Sequence, residues 1–196
     1  TLRINAENFS GEYVVENFEN TKNIYEKNIM LKPYTTKING VVTFGKGQAL
    51  GNTLVMIESL GIWQFTNAKG EYYFNNLQED THELTFKKLG YTTVNEKIKA
   101  TKDETSVKNI VLNPIGKIVF RSNLEAFKLN VNGKEFTVNQ KIYELIQGMG
   151  TFNISATKTG YLPINTKLSL TEAGEIRDVF LEFINIQEQN KEIKTN

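Results

Sequence analysis

Several chemistries are excluded by what this chain of 196 residues lacks. It contains no cysteine, so disulfides, zinc–thiolate sites and thiol nucleophiles are absent. His82 is the only histidine, no second partner lies at a useful spacing, and there is no Gly-x-Ser-x-Gly motif. We expect His82 to be an ordinary strand-edge residue, and we predict that the chain has no catalytic residues and is not an enzyme.

Long apolar runs and an excess of either charge are also missing. No run of about 18 apolar residues is present, so the sequence predicts no membrane-spanning helix. The 23 lysine and arginine residues nearly balance the 22 aspartate and glutamate residues and are scattered among them. Since phosphate backbones are bound by concentrated basic surfaces, we expect no nucleic-acid partner.

The acidic residues and glycines do not form ligand-binding motifs. Asp80, Asp103 and Asp178 are far apart in the sequence, whereas calcium loops draw several oxygens from one short segment. The glycine-rich run 45–51 leads into a predicted strand, whereas phosphate loops lead into the start of a helix. The sequence therefore predicts a hairpin or bulge at 45–51, no metal site and no cofactor.

The patterns that are present indicate an all-β protein. Apolar residues alternate with polar ones, as at Leu84 and Phe86, which is typical of a strand with one face on a core and one in water. Turn residues interrupt such runs every ~8–12 residues, and Asn132-Gly133 suits a tight type I′ hairpin. We predict tandem small antiparallel β-sandwich domains of transthyretin-like or immunoglobulin-like type.

One sequence pattern occurs three times and sets the predicted domain organisation. An apolar strand ends in a turn with glycine and tyrosine, and a polar stretch then leads to a short closing strand; Gly90-Tyr91 and Gly160-Tyr161 mark two copies. A third copy near Gly11 and Tyr13 has an ending but no beginning. We therefore predict the last strands of a truncated sandwich at 1–33, complete sandwiches at 34–114 and 115–183, and a tail or linker at 184–196.

The predicted strands follow from the same alternation and from the turn signals between them. Those of the first complete sandwich lie near 36–44, 52–60, 62–66, 71–75, 82–89, 92–99 and 106–112. Those of the second lie near 116–122, 127–131, 134–138, 151–158, 164–170 and 176–183.

Both complete sandwiches carry motifs of known families. The first has Ile38-Asn39-Gly40-Val41-Val42, residues 49–55, residues 66–77, Gly90-Tyr91 and residues 109–112, and through them residues 37–114 resemble the carboxypeptidase regulatory-like family. The second has residues 122–127, residues 129–134, Gly148, Gly150 and residues 158–161, and through them residues 116–183 look like a PEGA-type domain that lacks the family's prolines. Both resemblances imply non-catalytic spacers, accessory domains or adhesive modules of secreted or cell-envelope proteins.

The densest group of aromatic residues lies in the first complete sandwich. Alternation predicts that Tyr72 and Phe74 face the core, that Tyr73 faces outward, and that Trp63 and Phe65 share one side of their strand. Outward rings stack on sugars or anchor protein contacts; the alternative is packing in the core or between modules. The candidate binding surface therefore consists of Trp63, Phe65 and Tyr73.

One covalent cross-link is also considered. Lys37 on a first strand and Asn109 on a last strand have the order of the pair that forms an isopeptide bond in the related B-type repeats of Gram-positive collagen adhesins. That reaction needs a buried carboxylic acid, and residues 86–88 contain none. We expect the pair to be unmodified.

The leading hypothesis is a structural or interaction segment of a larger extracellular or cell-envelope protein, with its signal or anchor outside this chain. Unpaired sheet edges are the expected route to other proteins or to the rest of a larger assembly. Two alternatives stay open. One is a carbohydrate-binding accessory domain, which requires an exposed Trp63 or Tyr73; the other is a regulatory domain of an enzyme whose catalytic unit lies elsewhere.

Overall fold

A computed structural model describes residues 35–187 in full and, before them, the backbone of three strands. These are β1 (Leu2–Ala6), β2 (Phe9–Tyr13) and β3 (Lys32–Pro33), which form one antiparallel sheet in the order β1-β2-β3. The rest of the predicted closing segment 1–33, and the predicted tail beyond residue 187, lie outside the described residues. The origin of 1–33 from a truncated sandwich stays a prediction.

Residues 35–187 are built almost entirely of strands. The first sandwich contains β4 (Thr36–Phe44), β5 (Gln48–Ala49), β6 (Leu54–Ile57), a 3-10 helix (Glu58–Leu60), β7 (Ile62–Phe65), β8 (Glu71–Leu77), β9 (Asp80–Lys87), β10 (Val94–Ala100), β11 (Thr105–Val107) and β12 (Ile110–Val111). The second contains β13 (Ile115–Ser122), β14 (Phe127–Val131), β15 (Lys134–Val138), β16 (Ile142–Gly148), β17 (Gly150–Thr157), β18 (Ile164–Leu170) and β19 (Ile176–Leu181). The predicted all-β fold class is confirmed. No helix in the described part of the chain is long and apolar enough to cross a membrane.

The two sandwiches have the same strand order. In the first, one sheet has the order β10-β9-β6-β7, and in the other β4 lies between β8 and the short closing strands β11 and β12. In the second, the sheets have the orders β15-β14-β17-β18 and β16-β13-β19. In both, therefore, the opening strand is central in its sheet and is flanked by the strand that closes the domain.

The sheets are not purely antiparallel, which corrects the prediction. β11 and β12 run parallel to β4, and β19 runs parallel to β13. A tight hairpin forces antiparallel pairing, but the opening and closing strands are separated by a whole domain, so the chain has room to return and run in the same direction. Alternation of side chains carries no information on strand direction.

The strand β16 is missing from those predicted for the second sandwich. Its inward residues Tyr143 and Leu145 pack against the core, while Ile142 and Ile146 are exposed on its outer face. Because both faces carry apolar side chains, the strand lacks the alternation by which a half-buried strand is recognised.

The cores lie between the paired sheets. Fully buried side chains of the first sandwich include Ile38, Val42, Val55, Ile57, Leu84, Phe86 and Leu112. Those of the second include Ile118, Phe120, Leu129, Leu170 and Leu181. The type I′ hairpin predicted at Asn132-Gly133 is present, since both residues have positive φ, 50° and 87°.

Tyr72 closes the core of the first sandwich beneath its closing strands. Its side chain is 1% exposed, its ring meets that of Phe86 edge-on at 5.3 Å, and its hydroxyl donates a hydrogen bond to the Lys108 carbonyl at 2.7 Å. Burial raises the pKa of the Tyr72 hydroxyl well above its ordinary value. Gly40 permits this close approach, because a Cβ there would lie 1.8 Å from the Lys108 carbonyl oxygen.

We predict that Gly40→Ala lowers the free energy of unfolding of the first sandwich by about 3 kcal/mol or more. The reason is that the Lys108 carbonyl cannot retreat without disturbing the pairing of the closing strands with β4. Urea unfolding followed by circular dichroism measures the effect. Gly148→Ala is the matched control, because nothing lies within 4 Å of a Cβ at that position. Equal stabilities of the two variants would contradict the prediction.

Tyr72→Phe should lower the free energy of unfolding by about 1 kcal/mol at pH 7, because it removes the buried hydrogen bond to Lys108. The folded pKa of Tyr72 is raised, so its contribution is complete below the unfolded value of about 10 and is lost as pH rises above that value. The difference between wild type and variant should therefore shrink between pH 9 and pH 11. Denaturant titrations across this range provide the test, and a difference that stays constant would argue against it.

Candidate functional site

The predicted binding surface lies at one edge of the first sandwich, where β7 and β8 are the outermost strands of the two sheets. The turn 67–70 carries the chain from one sheet to the other. Asn67 holds this turn, because its Oδ1 accepts the main-chain N–H groups of Lys69 and Glu71 at 2.9 and 3.0 Å. β7 and β8 are thereby fixed side by side although they belong to different sheets.

Gln64 joins these two edge strands. Its Nε2 donates a hydrogen bond to the Tyr73 carbonyl, and its Oε1 accepts the Tyr73 N–H at 3.4 Å. The carboxamide thus pairs with the backbone of Tyr73 as a neighbouring strand would. Because side chains alternate along a strand, Trp63 and Phe65 lie on the other side of β7.

Trp63 and Phe65 project from the outer face of the four-stranded sheet. Their side chains are 63% and 56% exposed, and their ring centroids are 5.8 Å apart with the planes at 76°. We call this pair the aromatic corner, since the rings stand nearly at right angles. Tyr73 is 64% exposed and lies on β8, in the other sheet, between the inward residues Tyr72 and Phe74. The three residues are exposed, but only Trp63 and Phe65 share a face.

The aromatic corner continues across its sheet in rows of outward side chains. Strand register places an aliphatic residue of β6 next to each ring and polar residues of β9 and β10 beyond it. The rows are Trp63-Met56-Thr85-Asn95 and Phe65-Leu54-Lys87. This face therefore has an apolar half on β6 and β7 and a polar half on β9 and β10.

A shallow groove of about 280 Å³ lies on the polar half. It offers carboxylate oxygens, an ammonium group, hydroxyls and an amide, all within reach of a ligand that also contacts the rest of the face. The lining residues are Glu58, Ser59, Glu83, Thr85, Lys87, Thr93 and Asn95.

The corresponding sheet of the second sandwich has a different outer face. One groove on this face, of about 570 Å³, is rich in amides and has no aromatic residue in its lining. The lining residues are Asn130, Asn132, Gly133, Asn153, Ile154, Ser155, Asn165, Thr166 and Lys167. Trp63 and Phe65 therefore have no counterpart in the lining of this groove.

His82 lies inside the first sandwich, which corrects its expected place at a strand edge. Its side chain is 4% exposed, and its ring Nε2 is 2.9 Å from the Gln78 carbonyl oxygen. His82 lies two and four positions before Leu84 and Phe86 along β9, so all three side chains point to the same, inward face of the strand. This spacing was the sequence signal that His82 is buried. In the part of the chain that the structure describes, no three metal-ligating side chains come together. Residues 45–47 form the turn of the β4–β5 hairpin, as predicted.

Lys37 and Asn109 do not meet. The Asn109 side chain accepts a hydrogen bond from the Val41 N–H at 3.0 Å, whereas Lys37 lies near the start of β4 with an exposed side chain. The two positions are roughly 13 Å apart along the strand, at 3.3 Å per residue. This geometry agrees with the expectation that the pair is unmodified.

Comparison with known families and structures gives one family match. Residues 38–117 match the CarboxypepD_reg-like domain, which agrees with the resemblance seen in the sequence. No PEGA domain is shown for residues 116–183, so that assignment stays a prediction. No curated protein matches the chain.

Solved structures with a similar arrangement of strands include three bacterial proteins. The Bacillus anthracis TIE protein has 16% identity and a TM-score of 0.41, over 81% of this chain and 35% of its own. A streptococcal ancillary pilin has 17% identity and a TM-score of 0.38, over 85% and 69%. A putative carbohydrate binding protein from Bacteroides uniformis has 15% identity and a TM-score of 0.33, over 67% and 98%. The chain thus spans about a third of the TIE protein, and similarities this low assign it neither a function nor a partner.

Proposed function

We propose that this chain is a non-catalytic interaction segment of a larger extracellular or cell-envelope protein, and that its first sandwich binds a soluble polysaccharide at the aromatic corner. The observation that carries the proposal is the exposure of two large rings, Trp63 at 63% and Phe65 at 56%, side by side on one sheet face. Single exposed apolar residues are common, whereas a contiguous exposed group is typical of a binding surface.

The composition of the face favours a sugar as ligand. Sugar rings have apolar faces of C–H groups, which stack on aromatic rings, and hydroxyls around their rim, which hydrogen-bond to carboxylates, amides and ammonium groups. The face has both kinds of partner, since Trp63 and Phe65 lie in the same rows as Thr85, Asn95 and Lys87. A purely apolar partner surface would leave the groove residues without hydrogen bonds.

The geometry of the corner favours a single polysaccharide chain over a flat crystalline surface. Rings at 76° cannot both lie against one plane. One ring can stack on a sugar while the other contacts the edge of that sugar or of the next one. A chain bound in this way would extend from the corner across the sheet toward the groove.

The proposal also includes the cellular location of the chain and its role within a larger protein. The match of residues 38–117 to the CarboxypepD_reg-like domain supports an accessory role in an exported protein. The absence of cysteine is compatible with such a location. The second sandwich then serves as a further module of the segment.

Trp63→Ala should weaken polysaccharide binding about 30-fold, because a central aromatic anchor contributes roughly 2 kcal/mol or more. Trp63 is the only tryptophan, so stacking of a sugar on it changes the intrinsic fluorescence of the whole chain. Titration of the full chain with a panel of soluble plant, fungal and bacterial polysaccharides, read by this fluorescence, identifies the ligand. Affinity electrophoresis then measures the loss of binding, because the Trp63→Ala variant has no tryptophan.

Tyr73→Ala is the matched control, because Tyr73 is equally exposed but lies in the other sheet. It should bind as wild type does. Both variants should retain the unfolding midpoint of wild type within the small range usual for surface substitutions. A chain that binds no polysaccharide but whose fluorescence responds to a protein partner would show that the ligand class is wrong, and equal loss in both variants would show that the corner is not the site.

A further inference from the structure

The outer face of the three-stranded sheet in the second sandwich exposes four large apolar side chains. Ile142 and Ile146 on β16 are 49% and 62% exposed, and Ile176 and Phe180 on β19 are 62% and 63% exposed. They lie on one sheet face, and their grouping, rather than the exposure of any one of them, is the informative observation. Such a group marks a contact surface.

Strand register arranges this face in three rows, with β13 in the middle. The rows are Ile146-Lys117-Ile176, Glu144-Val119-Asp178 and Ile142-Arg121-Phe180. Apolar residues therefore occupy the four corners and the centre. The two cations lie above and below the centre along β13, and the two carboxylates lie to its left and right.

Within one chain the charges form two ion pairs. Lys117 Nζ lies 2.7 Å from Glu144 Oε2, and Arg121 Nε lies 2.7 Å from Asp178 Oδ1. Side chains of both pairs are substantially exposed, so the pairs add little to the stability of the fold. Their contribution to a contact surface is larger, because charges there set which partner and which orientation are accepted.

The pattern is complementary to itself when one copy is turned by a right angle. Rotation by 90° moves the cation positions onto the carboxylate positions and leaves apolar corners on apolar corners. If two copies were stacked with their β13 strands parallel or antiparallel, Lys117 or Arg121 would oppose another cation, and Glu144 or Asp178 another carboxylate. Crossed strands instead bring Lys117 and Arg121 opposite the carboxylates of the other copy.

We propose that this face binds the same face of a second copy of this chain, with the two sheets crossed at nearly 90°. Orthogonal packing is one of the two ways in which sheets stack, and twofold symmetric pairs are the commonest protein assemblies. The equivalent face of the first sandwich lacks the pattern, since its central row is Tyr73-Asn39-Val107, which has no charge. Self-recognition is therefore specific to the second sandwich.

Charge exchange between copies tests the proposal. The full chain should self-associate reversibly, with its weight-average mass in sedimentation equilibrium rising from monomer toward dimer between roughly 10 µM and 1 mM, as for a small interface. Lys117→Glu with Arg121→Glu makes the face wholly acidic, and Glu144→Lys with Asp178→Lys makes it wholly basic. Each double variant alone should associate at least tenfold more weakly, and an equimolar mixture of the two should form a heterodimer.

Lys97→Glu with Lys99→Glu is the control, because it makes the same change in net charge on exposed positions of the first sandwich. This variant should self-associate as wild type does. A wild-type chain that stays monomeric throughout, or a mixture that stays monomeric, would overturn the proposal and leave the face to a different partner. Circular dichroism of every variant separates loss of association from loss of fold.

Single cysteines test the crossed orientation, since the chain has none of its own. If the twofold axis runs along the diagonal through Ile176 and Ile142, Ile176 lies opposite Ile176 of the other copy. If it runs along the diagonal through Ile146 and Phe180, Ile146 lies opposite Ile146 of the other copy. Under mild oxidation, Ile176→Cys or Ile146→Cys should therefore form a disulfide-linked dimer, but not both. Cross-linking of both variants, or of neither, would rule out the crossed arrangement.

Discussion

The pairing of the opening strand with the closing strand is the constraint on which each sandwich depends. In the first, β4 is central and holds β8 on one side and β11 and β12 on the other; in the second, β13 holds β16 and β19. Each opening strand carries a glycine where the closing segment comes closest. A Cβ at Gly40 or Gly116 would lie 1.8 or 2.7 Å from a carbonyl oxygen of that segment. The closing segment can therefore pair with the opening strand only if one position on that strand has no side chain. In the first sandwich, the Tyr72 hydroxyl further stabilises this pairing by donating a hydrogen bond to the Lys108 carbonyl.

Once the closing strand fixes the two sheets, every second side chain along each strand points inward and fills the core. The side chains between them point outward and are free to differ between the two sandwiches. The two sandwiches share a strand order but present different surfaces. On the four-stranded sheet the first has an aromatic corner beside a polar groove, whereas the second has a groove rich in amides. On the three-stranded sheet the second has charged and apolar residues in a cross. Both proposed binding surfaces thus consist of outward residues that contribute little to folding.

Much of the fold could be predicted from the sequence because alternation is a local property. It placed Tyr72 and Phe74 inward and Tyr73 outward, and the structure has them so. The same rule applied to β9 would have placed His82 in the core. It failed for β16, where Ile142 and Ile146 make the outer face apolar as well. Strand direction was also missed, since parallel pairing of β13 with β19 depends on the path of the chain between them.

The candidate surfaces were less predictable, because they depend on register between strands that are distant in sequence. Trp63 and Phe65 could be recognised as neighbours on one strand, but the polar residues farther along the same rows come from β9 and β10. The cross of charges on the second sandwich joins β13, β16 and β19, and in the sequence its members look like scattered basic and acidic residues. Only their arrangement in rows makes them a pattern.

That arrangement also explains how an exposed apolar face avoids indiscriminate contact. Lys117, Arg121, Glu144 and Asp178 separate the four apolar corners, so an uncharged partner could cover the corners only by removing water from these charges and supplying no opposite charge in its place. A partner with matching charges at a right angle satisfies all of them at once. In the proposed contact, the charges disfavour partners that lack opposite charges and favour a second copy of the chain, whose opposite charges they meet.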